Sequence, residues 1–224
     1  MGAGACAGAD LWGGSLGATS DYVVRGISRS DERPAVQADV HYLSSSGFIA
    51  GAFASNAQAD SGESKDVELD AFLGFAWRSG DDWRGKAILS HYAYPGSSAG
   101  TAYDYDEIAI ETAYADWLDV TVAYSPDAPR YVRGYGLAGV ASESVELGFQ
   151  RPVMKRLTAS VGAGYSHYGG TGGAGYGYFS VGATYDLAPV SLSLSYVNTT
   201  SEAKALFYNE AERGRLIATA IFRF

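Results

Sequence analysis

The sequence predicts an all-β fold, a transmembrane antiparallel up-and-down β-barrel of about 12 strands. Apolar and polar residues alternate with a period of two along most of the chain, as they do in strands with one apolar face. The connections between these strands are alternately short and long, which places the two kinds at opposite ends of a barrel. With 29 Gly, 17 Tyr and only 18% charged residues, the composition disfavours both a helix-rich soluble enzyme and a disordered chain.

The alternation defines the strands one after another. Near the C-terminus, Leu192 and Leu194 alternate with serines, and Leu216 and Phe222 alternate with Arg215 and other residues of the opposite phase. Residues 10–224 then form a single barrel domain with no room for a second domain or a linker. The predicted strands are residues 11–26, 33–42, 47–56, 66–78, 83–94, 103–115, 117–125, 139–150, 156–168, 176–185, 190–198 and 213–224.

The predicted connections alternate in length. The short ones follow the even-numbered strands and comprise residues 43–46, 79–82, 116, 151–155 and 186–189. The longer ones follow the odd-numbered strands and comprise residues 27–32, 57–65, 95–102, 126–138, 169–175 and 199–212. Because the strand number is even, both termini fall at the end with the short turns. Bacterial outer-membrane barrels have this arrangement, with short periplasmic turns and periplasmic termini.

A soluble β-sandwich or lipocalin-like barrel would alternate too, and three features weigh against it. The outward positions of the clearly phased strands carry no charge, as expected where Lys or Arg at mid-bilayer costs about 2–4 kcal/mol. The chain ends on an outward Phe224, the form of signal read by the outer-membrane insertion machinery, which is an expected partner together with the lipid. Aromatic residues gather at the ends of the apolar faces: Trp12, Tyr42, Trp77, Trp83, Tyr114, Trp117, Tyr124, Tyr185 and Tyr196.

The first residues differ in composition from the rest of the chain. Residues 1–9 contain two small-x-small patterns of the kind that precedes signal-peptidase cleavage, so we expect the tail of an export signal there. An ordinary tail of small residues is the alternative. Cys6 is the single cysteine, so no intrachain disulfide is possible. The net charge of −9, without any Lys/Arg-rich run, argues against a nucleic-acid partner.

Three segments resemble those of a known family, and the first is its opening signature. It reads Ser20-Asp21-Tyr22-Val23-Val24-Arg25-Gly26-Ile27-Ser28-Arg29-Ser30-Asp31. Residues 92–96 and 124–127 fall in the order in which that family has similar segments, and Pro34 to Gln37 follow its opening signature. The sequence is similar to the TorF family of porins over residues 15–224, which implies a bacterial outer-membrane channel. The region from Ala128 to Val140 departs from the family pattern, so specificity carried by that loop does not transfer.

The inward positions are the candidate functional residues. Arg25 on strand 1 and Arg215 on strand 12 would be neighbours at the closure seam, opposite acidic residues of strands 4, 6 and 8. Opposed basic and acidic walls would create a transverse field at a constriction. The alternative is that the charges form salt bridges that fill and stiffen the lumen. The pore-lining candidates are Asp21, Arg25, Asp39, Glu68, Asp70, Glu107, Glu111, Glu146 and Arg215.

No pattern in the sequence indicates an enzyme. Two G-x-G-x-x-G matches, beginning at Gly134 and Gly170, lack the helix that a dinucleotide site requires. The three histidines have no partners at metal-ligand spacing, so no metal site is expected. Ser166 and His167 are adjacent in a strand and point to opposite faces, so they cannot act together as nucleophile and base.

The sequence therefore predicts a channel for passive diffusion of small polar or zwitterionic solutes, which requires no cofactor. Many inward residues are small, such as Ser191, Ser193 and Ser195, which favours an open path. Two alternatives remain open. One is a non-conducting barrel whose long loops, residues 57–65 and 199–212, bind a partner, and the other is an outer-membrane hydrolase. The solute, the gating and the oligomeric state are left open by the sequence.

Overall fold

The computed structural model describes residues 10–57, 66–97, 100–132, 136–170, 173–207 and 214–224. They form a closed barrel of 12 antiparallel strands, so the predicted fold class and strand number are confirmed. The strands are β1 (Leu11–Thr19), β2 (Ala35–Leu43), β3 (Phe48–Ala57), β4 (Asp66–Ser79), β5 (Trp83–Ala93), β6 (Tyr105–Tyr114), β7 (Leu118–Val132), β8 (Gly136–Met154), β9 (Leu157–Tyr168), β10 (Ala174–Leu187), β11 (Val190–Thr199) and β12 (Arg215–Arg223).

Each strand pairs with its neighbours in chain order, and β1 closes the barrel against β12. The seam runs from Ser15 opposite Arg223 to Thr19 opposite Thr219. Closure leaves no unpaired sheet edge, which is the main hazard of an open sheet. Two short 3₁₀ helices, Gly100–Tyr103 and Ser201–Ala205, lie in the loops. No helix among the described residues is long and apolar enough to cross a membrane.

The two ends of the barrel differ as the sequence predicts. At one end, here the short-turn end, tight turns such as residues 44–47 and 115–117 join the strands. At the other, the long-loop end, the connections include residues 20–34 and 94–104.

The outer face of the barrel is apolar. Aromatic rings pack in pairs on this face at the short-turn end, where Trp12 lies 5.3 Å from Tyr42 and Trp83 lies 4.9 Å from Tyr114 between ring centroids. Trp12 is 75% exposed, although a tryptophan in a soluble domain is mostly buried. The outer surface carries an apolar coat, which includes the exposed side chains Leu16, Val40, Leu73, Ile110, Val122, Leu147, Val161, Val181, Leu194 and Leu216.

Three predicted boundaries are wrong by four residues or more. One is the end of β8, which continues to Met154 although a turn is predicted over residues 151–155. The first strand, predicted over residues 11–26, ends at Thr19, and the chain then turns into the lumen. The long loop predicted over residues 126–138 is instead mostly strand, because β7 and β8 stay paired up to Val132 and Gly136. A β-bulge sets Pro126 and Asp127 opposite Ala141, so the ladder absorbs a proline that would otherwise interrupt it.

Several sequence predictions fall on residues that the structure does not describe. These are the signal-derived segment 1–9 with Cys6, most of the loop 57–65, part of the loop 199–212, and glycines 134 and 172 of the two G-x-G-x-x-G matches.

Candidate functional site

The lumen contains a segment that the sequence places partly in the wall, over residues 20–26, and partly in a long loop, over residues 27–32. Residues 20–34, here called the inner segment, connect β1 to β2 and make side-chain contacts with distant strands. Tyr22 bonds to Glu68 of β4, and Arg25 bonds to Glu107 of β6 and Glu146 of β8. The carbonyl of Arg25 accepts a hydrogen bond of 3.1 Å from Tyr176 of β10. Because these strands surround the lumen, the inner segment crosses it.

A tight hairpin forms the tip of the inner segment. Val23–Val24 pairs with Ile27–Ser28, which leaves only Arg25 and Gly26 in the turn. Both have positive φ, 49° and 79°, as a two-residue type I′ turn requires. A Cβ on Gly26 would lie 2.5 Å from Cγ2 of Thr199 and 2.8 Å from Cβ of Tyr178. Glycine is therefore required both by the backbone conformation and by close packing on the wall.

The base of the inner segment is held by Asp21. Its Oδ1 accepts a hydrogen bond of 2.6 Å from Ser28 and lies 3.1 Å from the hydroxyl of Ser30. Arg215 of β12 approaches from the wall, with Nε 3.8 Å from Asp21 Oδ2 and Nη2 3.4 Å from Glu32 Oε1. Asp21 is 7% exposed, so its carboxylate is buried in this hydrogen-bonded base.

Arg25 makes the principal ion pair of the lumen. Its guanidinium binds Glu107 in a bidentate manner, with Nη1–Oε2 2.7 Å and Nη2–Oε1 2.9 Å, while Nε lies 3.4 Å from Glu146 Oε1. The prediction that Arg25 and Arg215 adjoin at the closure seam is therefore wrong. Arg25 lies at the hairpin tip because β1 ends six residues earlier, and Arg215 contacts the base of the same segment.

Two acidic residues of β4 have different surroundings. Glu68, only 2% exposed, accepts hydrogen bonds from the hydroxyls of Tyr22, at 2.6 Å, and Tyr94. Asp70 is the next inward residue on the strand. Among the described residues, its buried Oδ1 has no hydrogen-bond partner, and it borders a cavity of about 210 Å³ between the hairpin and the wall.

The remaining candidates lie nearer the short-turn end. Asp39 Oδ2 is 2.8 Å from Nδ1 of His41 on the same strand, and Glu111 Oε2 is 3.0 Å from Nζ of Lys86 on the neighbouring strand. Both pairs border a cavity of about 490 Å³. All nine predicted residues thus face the interior, but the structure brings Arg25, Glu107 and Glu146 together and separates Asp39 and Glu111 from them.

The lumen wall has two unlike halves. The charged half, β2 to β8, carries the acidic candidates other than Asp21, which lies in the inner segment. The small-residue half, β9 to β12 with β1, presents mainly glycine, serine and threonine to the interior. Its inward residues include Ser15, Gly17, Ser160, Gly162, Gly164, Ser180, Gly182, Ser191, Ser193, Ser195 and Thr219.

Cavities continue around the lumen beneath the inner segment. One of about 380 Å³ is bounded by the hairpin and by Ser180 and Ser195, and it shares Glu146 and Tyr178 with another of about 310 Å³. On the opposite face of the hairpin, Ile27 enters an apolar cluster at the long-loop end, which also contains Ala203 and Leu206. The inner segment therefore separates the lumen cavities from the long loops.

Sequence reasoning missed the inner segment and its tyrosine contacts. Two signals could have indicated the hairpin: the turn residues Arg25 and Gly26 between short apolar stretches, and the polar run from Ser28 to Arg33, which cannot continue an apolar face. No sequence pattern could have indicated Glu68 as the acceptor for Tyr22, because 46 residues separate them.

Two arrangements that would serve catalysis are absent from the described residues. These residues contain no group of three His, Cys, Asp or Glu side chains that could hold a metal ion. Ser166 is buried facing the lumen, whereas His167 is exposed on the outer face, so the two side chains do not meet.

Solved structures resemble this barrel at low sequence identity. The KdgM porin is 10% identical, with 96% of this chain and 99% of that chain covered at a TM-score of 0.56. The NanC porin is 8% identical, with 95% and 98% covered and a TM-score of 0.58. An outer membrane channel from Pseudomonas putida F1 is 12% identical, with 97% and 96% covered and a TM-score of 0.55. At these identities the similarity shows the fold alone.

Comparison with curated protein sequences finds no match for this chain. A protein-family model does match, over residues 3–223, which is nearly the whole chain. By that match the chain belongs to the family described as "Bacterial protein of unknown function (Gcw_chp)".

Proposed function

We propose that this protein is an outer-membrane channel for the passive diffusion of small polar or zwitterionic solutes. The observation that carries the proposal is a closed 12-stranded barrel with an apolar coat outside and, inside, cavities bordered by charged side chains. A soluble barrel would bury most of its large apolar residues, whereas here many of them are exposed outside, and the lumen combines serine, glycine and charged groups with some apolar residues such as Phe72 and Ile88. Twelve strands lie between the eight that side chains just fill and the 16 to 18 that enclose a water channel.

The lumen chemistry supports a preference for small polar solutes. Acidic and basic groups face each other at short range, as in the pairs of Lys86 with Glu111 and Arg25 with Glu107. Such paired charges do not give one strong sign of potential, and they offer hydrogen bonds to both ends of a zwitterion. The cavities of about 310 to 490 Å³ fit small molecules rather than polymers.

The proposal includes an orientation and a narrower family assignment. The short-turn end and both termini would face the periplasm, as in other outer-membrane barrels, and Phe224 would serve the insertion machinery. Within the family, residues 20–31 support assignment to the TorF porins.

A non-conducting barrel is the second candidate, and a specific observation favours it. The inner segment occupies the lumen and packs against the apolar cluster at the long-loop end. A barrel closed in this way would act through its long loops, by binding a partner.

Reconstitution in planar bilayers distinguishes the two candidates. We expect stepwise conductance from the folded protein, and none from the same detergent without protein. Swelling of liposomes in glycine or in a disaccharide then tests the size and charge preference, with faster entry expected for glycine. A folded barrel that stays silent in every salt tested, both as the wild type and without residues 22–29, would refute the diffusion channel and support the non-conducting barrel.

A further inference from the structure

We propose that the inner segment is a gate, and that the ion pairs of Arg25 with Glu107 and Glu146 form the latch that holds it across the lumen. The inference rests on the proposed channel function and adds its regulation. Four features of the described residues support it. The segment joins the barrel at one side, it is bonded internally, its contacts with the far wall are mainly polar, and cavities lie beside it.

The inner segment is attached to the barrel at one side only. Thr19 at the end of β1 pairs with Ala35 at the start of β2, so both ends of the 15-residue connection leave the wall side by side. A connection of this kind can turn about its base without breaking the ladder of the barrel. Asp31 and Glu32, with φ of 54° and 57°, provide left-handed turn residues at that base.

The segment has enough internal bonding to move as one unit. The hairpin pairs Val23–Val24 with Ile27–Ser28. Ser28 and Ser30 bond to Asp21, and the backbone N–H of Tyr22 donates to Ser30 Oγ at 2.9 Å. Rotation about the base would keep these bonds, because all the groups belong to residues 20–34.

The fastening to the far wall is mainly polar. Arg25 makes the bidentate pair with Glu107 and the longer contact with Glu146, and Tyr22 bonds to Glu68. Of the hairpin residues, only Ile27 belongs to a buried apolar cluster. Polar contacts of this kind can be exchanged for contacts with water or ions, whereas a large apolar interface cannot be opened without a high cost.

The surroundings leave room for movement. A cavity of about 380 Å³ borders Asp21 to Gly26 on the side of the small-residue half, and one of about 210 Å³ borders Arg25 and Arg29 on the side of the charged half. A rotated segment can enter either space. Arg25 is thus a positioning residue, which sets the fraction of time that the lumen is obstructed.

Single-channel recording tests the latch. In Arg25→Ala we expect the open probability to rise about tenfold or more, because one partner of a buried charge pair is removed. Arg84→Ala is the matched control, since it breaks an exposed ion pair with Asp116 at the short-turn end that does not touch the inner segment. Its open probability should remain that of the wild type. Folding of each variant is checked by circular dichroism.

A reversible cross-link tests the movement itself. In a Cys6→Ser background, Arg25→Cys with Glu107→Cys is bridged by a short bifunctional thiol reagent and then released with a reductant. We expect the bridged channel to close and the released channel to reopen, whereas single Arg25→Cys treated in the same way should stay open. A bridged channel that conducts like the released one would overturn the gate.

The failure of the latch can be told apart from the failure of the channel. Wild-type conductance together with an unchanged open probability in Arg25→Ala would overturn the latch and leave the channel intact. If neither the wild type nor Arg25→Ala conducts, the latch is also overturned. A variant lacking residues 22–29 then decides the function. If that variant conducts, the channel stands; if it is folded and silent, the proposed function fails as well.

Discussion

The two halves of the lumen wall differ in the size and charge of their inward side chains, and this difference bears on the route that we propose for a solute. On the charged half, long side chains such as Glu107 and Glu146 reach into the lumen and bind the inner segment. On the small-residue half, residues such as Ser180 and Ser195 leave a cavity beside the hairpin. The charged half therefore binds the hairpin tip, and the small-residue half leaves space directly beside the hairpin, whereas the cavity of about 490 Å³ lies within the charged half nearer the short-turn end.

Removing the obstruction should have the largest effect. Replacing residues 22–29 by two glycines is sterically reasonable, because the side chains of Asp21 and Ser30 are already in contact at 3.1 Å. We expect a conductance several-fold that of the wild type, since the hairpin no longer occupies the lumen. Single-channel recording measures this. An unchanged conductance in a folded variant would show that the inner segment does not limit flow.

Narrowing each half separately should show which one carries the flow. Ser180→Phe adds a ring to the cavity of the small-residue half, and Ser90→Phe adds the same ring to the cavity of about 490 Å³ on the charged half. We expect Ser180→Phe to reduce the single-channel conductance more than Ser90→Phe. An equal or opposite ranking would remove the functional distinction between the halves.

The charged half should set ion selectivity. Lys86 and Glu111 form a pair of 3.0 Å, so Lys86→Ala leaves an unpaired carboxylate and Glu111→Gln leaves an unpaired ammonium group. We expect reversal potentials in a salt gradient to shift toward cation selectivity in Lys86→Ala and toward anion selectivity in Glu111→Gln. Shifts in the same direction would mean that this pair does not face the permeation path.

A smaller effect is expected from the hairpin turn. Gly26→Ala places a Cβ in the left-handed region and against Thr199, so we expect the hairpin to lose about 1–2 kcal/mol of local stability or more, with the barrel intact. Faster tryptic cleavage after Arg25 or Arg29 measures this. Gly96→Ala is the control, because Gly96 also has positive φ but no atom lies within 4 Å of its Cβ position. Equal protease resistance in Gly26→Ala and the wild type would argue against tight packing at the tip.

The sequence predicts the barrel well because each strand has one side on the apolar outer face and the other in the lumen, which imposes a period of two on its residues. The same alternation misleads at Tyr22 and Val24, which continue the period of β1 although they lie in the lumen. Period alone cannot distinguish a strand of the wall from a strand inside it. The sequence places Arg25 opposite the acidic strands and leaves salt bridges across the lumen as an alternative, but it does not single out Glu107, which is 82 residues from Arg25. Their pairing depends on the closed shape of the whole barrel.

The contact of Arg215 with Asp21 and Glu32 has a consequence for assembly. Arg215 lies on β12, which joins β1 only when the cylinder closes, yet it holds the base of a segment that follows the first strand. The last strand to be made therefore completes both the wall and the support of the inner segment. A folding intermediate without β12 would lack this contact at the base and keep only the contacts of the inner segment with β4, β6, β8 and β10, so full support of the segment requires a closed barrel.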